Sequence, residues 1–359
     1  MICILMQQNM DGNSNILIKE HRTQNYKTIF NQKTGFFIRI EEKGCDEPFW
    51  SEHGPELLDI SITNYCERGC EFCYRDSSIT GKHISMQDLE KLVIEAEKIG
   101  VLQIALGGGN PNQHPQFTEI LKLIRKHNII PSYTTNGDFL TVPILEATAK
   151  YCGAIAVSAY PPYDYSFEEK LKYISEYKIK TNLHFIIKED TIDVANEWLR
   201  NPPSFLKYIN AIIFLNYKPI NSTLNLHITD MNKISQFFQN VQNCRTLKIG
   251  FDSCSVSGIV EYMNVNKIFM ESCEAARFSA FISEDMKMYP CSFMINTDQY
   301  GDLKKETIEH IWKNNHNFTN HRKKIKNHTC SFCQHSELCN GGCVFLPEIN
   351  LCSECVGLK

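Results

Sequence analysis

Between about residues 57 and 255 the chain alternates short apolar runs with amphipathic stretches, and this pattern limits the fold more than any other feature. The runs at 57–62, 101–106, 129–134, 154–158, 182–187, 211–217 and 247–252 read as strands, nearly continuous in apolar residues. Helical periodicity separates them at 86–99, 116–127, 143–151, 167–176, 191–200 and 229–241, with Ser85 placed to cap the first helix. Strands buried on both faces and joined by helices predict a parallel sheet. Six or seven such units exceed a doubly wound sheet and fall short of a closed eightfold barrel. The expected fold class is α/β, a partial (β/α)6-type barrel over 57–255. In such barrels chemistry gathers in the loops after the strands.

The loop after the first strand reads Asn64-Tyr65-Cys66-Glu67-Arg68-Gly69-Cys70-Glu71-Phe72-Cys73-Tyr74. Three thiols in one short loop suit an iron–sulfur cluster better than a structural zinc, which takes four ligands. The spacing of Cys66, Cys70 and Cys73, with aromatic Phe72 before the last, resembles the signature of radical S-adenosylmethionine (SAM) enzymes. The resemblance implies a [4Fe–4S] cluster whose open iron chelates SAM, and whose reduction gives a 5′-deoxyadenosyl radical. Gly108-Gly109-Asn110-Pro111, in the second strand's loop, resembles that family's Gly-Gly-Glu-Pro motif near the SAM amino group, with Asn110 replacing the glutamate. The same resemblance gives Ser158 a polar contact to SAM and Leu215, beside Phe214 and Tyr217, a place against the adenine. Asn136-Gly137 reads as a turn.

Sixteen cysteines is a high count for 359 residues. Without a secretory leader, metal ligation in a reducing cytoplasm is expected rather than a disulfide framework. The run Cys330-x2-Cys333-x5-Cys339-x3-Cys343 resembles the SPASM extension of radical SAM enzymes, with Cys273 and Cys291 at its first pair and Tyr289-Pro290-Cys291 alongside. The glycine usual before the second cysteine is absent, with residues 285–287 in its turn. The resemblance implies two auxiliary [4Fe–4S] clusters. Cys273, Cys291 and Cys343 would hold one, with Cys254 as candidate fourth ligand or a site left open. Cys330, Cys333 and Cys339 would hold the other, completed by Cys352 or Cys355. The competing reading makes Cys330 to Cys343 a four-cysteine zinc knuckle. Cys152 reads as a core thiol.

These features divide the chain into an N-terminal extension (1–56), the barrel (57–255) and a cysteine-rich auxiliary-cluster domain (256–359). In the extension, 30–40 and Pro48-Phe49-Trp50 suggest a hairpin capping the barrel, and the basic run 322–326 suggests a solvated helix face. A net charge of −4 argues against nucleic acid as partner, and no apolar run reaches membrane-spanning length. The resemblance points to an enzyme using a 5′-deoxyadenosyl radical to crosslink, oxidise or epimerise a ribosomally made precursor peptide or protein. Electrons would come from an external donor of flavodoxin or ferredoxin type. The alternatives are an anaerobic sulfatase-maturating enzyme and a non-catalytic iron–sulfur or zinc protein. The open barrel edge is expected to admit an extended peptide as an added strand.

Overall fold

A computed structural model describes residues 16–21, 24–41, 48–220, 226–266, 270–330 and 333–353. A ten-stranded sheet dominates it. Strands β4 (Leu57–Thr63), β5 (Gln103–Gly108), β6 (Ile130–Thr135), β7 (Ala154–Ser158), β8 (Thr181–Ile187), β9 (Ala211–Asn216) and β10 (Ile249–Phe251) follow each other in spatial order, each parallel to the next. Between them run helices α1 (Met86–Ile99), α2 (Phe117–Lys126), α3 (Val142–Tyr151), α4 (Tyr165–Glu176), α5 (Ile192–Arg200) and α6 (Met231–Asn243). Ser85 caps α1 by accepting from the Asp88 amide at 3.0 Å, and Gly100 closes it in the left-handed region at φ 78°. Alternate strand residues such as Leu58, Ile60, Ile104, Leu183 and Phe214 are fully buried among the core residues that join sheet and helices. The sheet is open, as the strand count predicts.

One edge of the barrel is taken by the chain itself. Beyond α7 (Val256–Tyr262), strands β11 (Ser279–Ile282), β12 (Lys287–Tyr289) and β13 (Gly301–Asp302) extend the sheet, β11 lying parallel against β4. The chain therefore pairs the first barrel strand itself, leaving β10 and β13 as the sheet's outer strands. The β11–β12 turn places Met286 at φ 69°, the left-handed conformation for which a glycine is more usual. Helices α8 (Ile308–Asn314), α9 (His316–Lys326) and α10 (Ser336–Cys339) complete the C-terminal part.

The basic run on α9 is not wholly solvated. Arg322 is buried, its guanidinium 3.6 Å over the Trp50 ring, donating to the Ala276 and Trp312 carbonyls at 2.6 and 2.8 Å. Two indole rings and two backbone carbonyls together make a site for a planar cation.

The N-terminal segment forms a three-stranded antiparallel sheet, β1 (Ile16–His21), β2 (Tyr26–Asn31) and β3 (Phe37–Glu41), in which β2 and β3 make a hairpin. Phe30 packs on Leu102 and Ile130, at the entrances to β5 and β6, so this sheet covers the end of the barrel opposite the cysteine loop. Lys19 Nζ donates to the Ile99 and Gly100 carbonyls, and Lys180 Nζ to that of Thr34. Arg39 anchors the sheet in a buried cluster, bonding Glu56 at 2.7 Å, Glu274 at 3.0 Å and Glu271 at 3.2 Å.

Candidate functional site

Each loop after a barrel strand contributes to one end of the sheet. The loop after β4 carries Cys66, Cys70 and Cys73, close enough for Cys66 and Cys73 to act electrostatically on Cys70, whose thiol burial pushes upward. The Cys66 amide donates to Ser78 O and the Cys73 amide to Cys70 O, both at 3.0 Å. Arg75 ties this loop to the C-terminal part through Glu284 at 2.6 Å. The Phe72 ring lies 5.5 Å from that of Tyr160, with Lys188 Nζ 5.4 Å from its centre, while Arg68 sits over the other side of the Tyr160 pair at 4.7 Å.

The glycine loop meets the cysteine loop backbone to backbone. The Gly109 amide donates to Thr63 O at 2.7 Å and the Asn110 amide to Tyr65 O at 3.0 Å. A Cβ on Gly108 would stand 1.9 Å from Thr63 O, and one on Gly109 2.1 Å from Tyr65 O, so neither position accepts a side chain. Asn110 is buried and its Oδ1 accepts from the Thr135 hydroxyl at 2.9 Å and the Asn136 amide at 3.3 Å. In place of a charged glutamate, this neutral side chain joins the loops after β5 and β6. Buried Pro111 opens a single 3-10 turn, Pro111–Gln113. The Asn136-Gly137 turn is thereby one of Asn110's partners. Ser158 ends β7, half-buried, two residues before Tyr160. Leu215 lines the barrel interior, whereas Phe214 points into the core among Phe185, Phe237 and Phe251.

The C-terminal cysteines separate into two sets. Cys254, Cys273, Cys291 and Cys343 lie within electrostatic reach of one another. Burial above all pushes the Cys254 thiol up to about 12 and those of Cys273 and Cys343 to about 11, with neighbouring thiols adding to it. Cys330, Cys333, Cys339 and Cys352 line one small cavity with Ser257 and His335, and burial pushes Cys339 up to about 12. The grouping takes Cys343 out of the proposed zinc knuckle, since that residue faces Cys254 and Cys273 instead. Cys355 lies outside the described residues, as do Cys3 and Cys45. Cys152 stands apart, its thiol raised by burial near Tyr133.

Buried thiolates repel one another, and a cationic centre among them removes that penalty. The donor sets thus fit metal. Among the described residues no three His, Cys, Asp or Glu side chains converge closely enough for a single ion. Thiolates in sets of three and four are the ligands that an iron–sulfur cluster takes.

Between the cysteine sets and the N-terminal sheet lies a cavity of about 650 Å³ inside the barrel. Its lining includes Asp59, Asn182, His184, Lys218, Asp252 and Cys254. Burial raises the Asp59 carboxyl to about 6 and lowers His184 to about 4. His184 faces Ser158 across the β7–β8 register, and its buried Nε2 has no hydrogen-bond partner among the described residues. Tyr74, directly after Cys73, packs at 4.8 Å on Phe293, two residues after Cys291, so an aromatic pair joins the barrel cysteines to the first C-terminal set. Tyr160, His184, Lys188 and Lys218 escape sequence reading because their meaning depends on which strands adjoin. Tyr74 had a signal, an aromatic abutting the last cysteine of the loop.

Residues 60–188 match the sequence profile of the Radical SAM superfamily, and residues 273–335 match SPASM, an iron–sulfur cluster-binding domain. Probable GTP 3′,8-cyclase of Pyrococcus abyssi is 32% identical over 84 residues, 23% of this chain and 28% of that protein. PqqA peptide cyclase of Gluconobacter oxydans is 27% identical over 95 residues, 26% of each chain. These matches span under a third of the relatives' own length. Streptococcus suis SuiB bound to precursor peptide SuiA superposes with a TM-score of 0.74, covering 99% of this chain and 100% of that one at 15% identity. anSMEcpe with bound AdoMet and a Cp18Cys peptide superposes at 0.58, over 80% of this chain and 88% of that one, at 18% identity.

Proposed function

Because the chain belongs to the radical SAM superfamily and carries a SPASM domain behind its barrel, we propose that it is an enzyme that modifies a ribosomally made peptide by radical chemistry. The carrying observation is the sorting of eleven described cysteines into three separate thiol sets, one of which reaches the barrel cavity through Cys254, Cys273 and Cys291. In this reading Cys66, Cys70 and Cys73 hold the cluster that binds SAM. Gly108, Gly109, Asn110 and Pro111 shape the wall beside its amino group, Ser158 lies toward its ribose or carboxylate, and Leu215 and Phe72 toward its apolar parts. Cys254, Cys273, Cys291 and Cys343 hold one auxiliary cluster; Cys330, Cys333, Cys339 and Cys352 hold the other.

When bound, SAM and its cluster supply the radical that takes a hydrogen atom from the substrate. The protein's part is to hold the target side chain in the barrel cavity, keep water from it and offer His184 Nε2 as a buried proton acceptor. Cys254, Cys273 and Cys291 line the cavity and would hold beside it a cluster able to accept the electron of a net oxidation. An external flavodoxin- or ferredoxin-type protein would supply reducing electrons. Peptide binding by SuiB and by anSMEcpe, both of this fold, supports a peptide as substrate.

The test is anaerobic incubation of reconstituted protein, SAM and a reductant with the short peptide encoded beside its gene, followed by mass spectrometry. Loss of two hydrogen atoms per modification, or an unchanged mass in ordinary water with deuterium uptake when the solvent is D2O, is expected. An unaltered peptide alongside an altered sugar or nucleoside would overturn the peptide assignment.

A further inference from the structure

Lys218 occupies an unusual place for a lysine. It follows β9, is buried at the inner end of the barrel cavity and forms an ion pair with Asp252, which follows β10. Its ammonium lies within electrostatic reach of the Cys254 sulfur and 4.9 Å over the Phe293 ring, two residues beyond Cys291. Asp252 is held in turn by the Asn216 amide at 3.2 Å and the Ser255 hydroxyl at 2.8 Å. Asn216 completes the clamp, its Nδ2 donating to the Cys254 carbonyl at 3.3 Å and to Ile349 O at 2.8 Å. A buried ion pair is a costly way to brace a loop, since well-packed apolar residues do as well.

Hydrogen bonds and positive charge at a ligand sulfur favour the reduced, more negative form of an iron–sulfur group and raise its potential. We propose that Lys218 is a positioning residue that sets the redox poise of the iron–sulfur group held by Cys254, Cys273, Cys291 and Cys343, making it a ready acceptor of the electron that a substrate radical loses. The inference rests on the cluster assignment above. The step it serves transfers one electron from the substrate radical to that iron–sulfur group; the radical is oxidised, the group is reduced, and the released proton leaves to a base of the cavity.

Redox titration of the reconstituted holoprotein, followed by electron paramagnetic resonance, tests it without substrate. In Lys218→Met the potential of one resolved centre should move negative, in Lys218→Arg it should move less, and in Asp252→Asn it should move positive. Opposite shifts are the outcome that a merely structural pair would not give. Should Lys218→Met fail to retain iron, the positive shift in Asp252→Asn carries the test. Iron-loaded variants with wild-type potentials, or Lys218→Met and Asp252→Asn shifting the same way, would overturn the role of Lys218 alone. Wild-type protein that takes up no iron would overturn it together with the cluster assignment.

Discussion

Three adjacent glycines show how differently neighbouring residues are constrained. Around a Cβ on Gly107 nothing lies within 4 Å, whereas on Gly109 it would meet the Tyr65 carbonyl oxygen. Gly107→Ala should therefore leave iron content and SAM cleavage near wild type, while Gly109→Ala should displace the cysteine loop and lower both by about tenfold or more, the reach of a misplaced site. Equal behaviour of the two variants, read by iron assay and product formation, would contradict the packing argument. A second residue-scale prediction concerns pH. Burial, then Lys324 and Arg322, lowers His321 to about 4, below its ordinary value near 6.5. The unfolded chain binds that proton more readily, so stability is complete above about pH 6.5 and declines as pH falls toward 4. His321→Leu should flatten the stability slope in that window by up to about 1.4 kcal/mol per pH unit, measured by urea unfolding. Parallel slopes would refute it. At this scale the sequence was most legible in Cys66, Cys70 and Cys73, which share one loop. That Cys343 goes with Cys273, Cys291 and Cys254 rather than with Cys339 was implied by the family resemblance and not by the spacing, because only the tertiary fold sets which thiols meet.

Among the elements, the barrel strands and helices were readable to within a few residues, since each carries its own periodicity. Strand β5 begins at Gln103 rather than 101 and runs on into Gly108, where pairing with Thr63 sustains it. Strand β1 was not foreseen, because its run Ile16-Leu17-Ile18-Lys19-Glu20-His21 becomes a strand by pairing with β2. The pairing of β11 with β4 joins residues more than two hundred positions apart and has no local signature. The N-terminal sheet makes its own prediction. Arg39 is nearly fully buried and bonds carboxylates from both the barrel entrance and the C-terminal part. Arg39→Met leaves Glu56 and Glu274 without this cation, a change that costs about 3–5 kcal/mol when a buried pair is broken. Thermal unfolding should show a marked fall in midpoint, and an unchanged midpoint would mean that the sheet docks through its apolar contacts alone.

Over the whole molecule, one continuous sheet carries both the barrel and the strands that position the auxiliary cysteines, so the thiol sets are fixed relative to one another. The Tyr74–Phe293 pair and Arg75–Glu284 bridge stitch the cysteine loop to the C-terminal part. Replacing Cys339 by alanine should remove roughly four irons per chain, one cube, while SAM cleavage at the barrel loop continues without product. A full iron complement in that variant would remove Cys339 from the ligand set. The account stands most directly on where the radical is made. The decisive measurement is 5′-deoxyadenosine formed by reduced, reconstituted protein with SAM, compared between the wild type and a variant with Cys66, Cys70 and Cys73 all changed to alanine. Formation by the wild type and none by the variant is predicted; 5′-deoxyadenosine from the triple variant, or none from iron-loaded wild type, would contradict it.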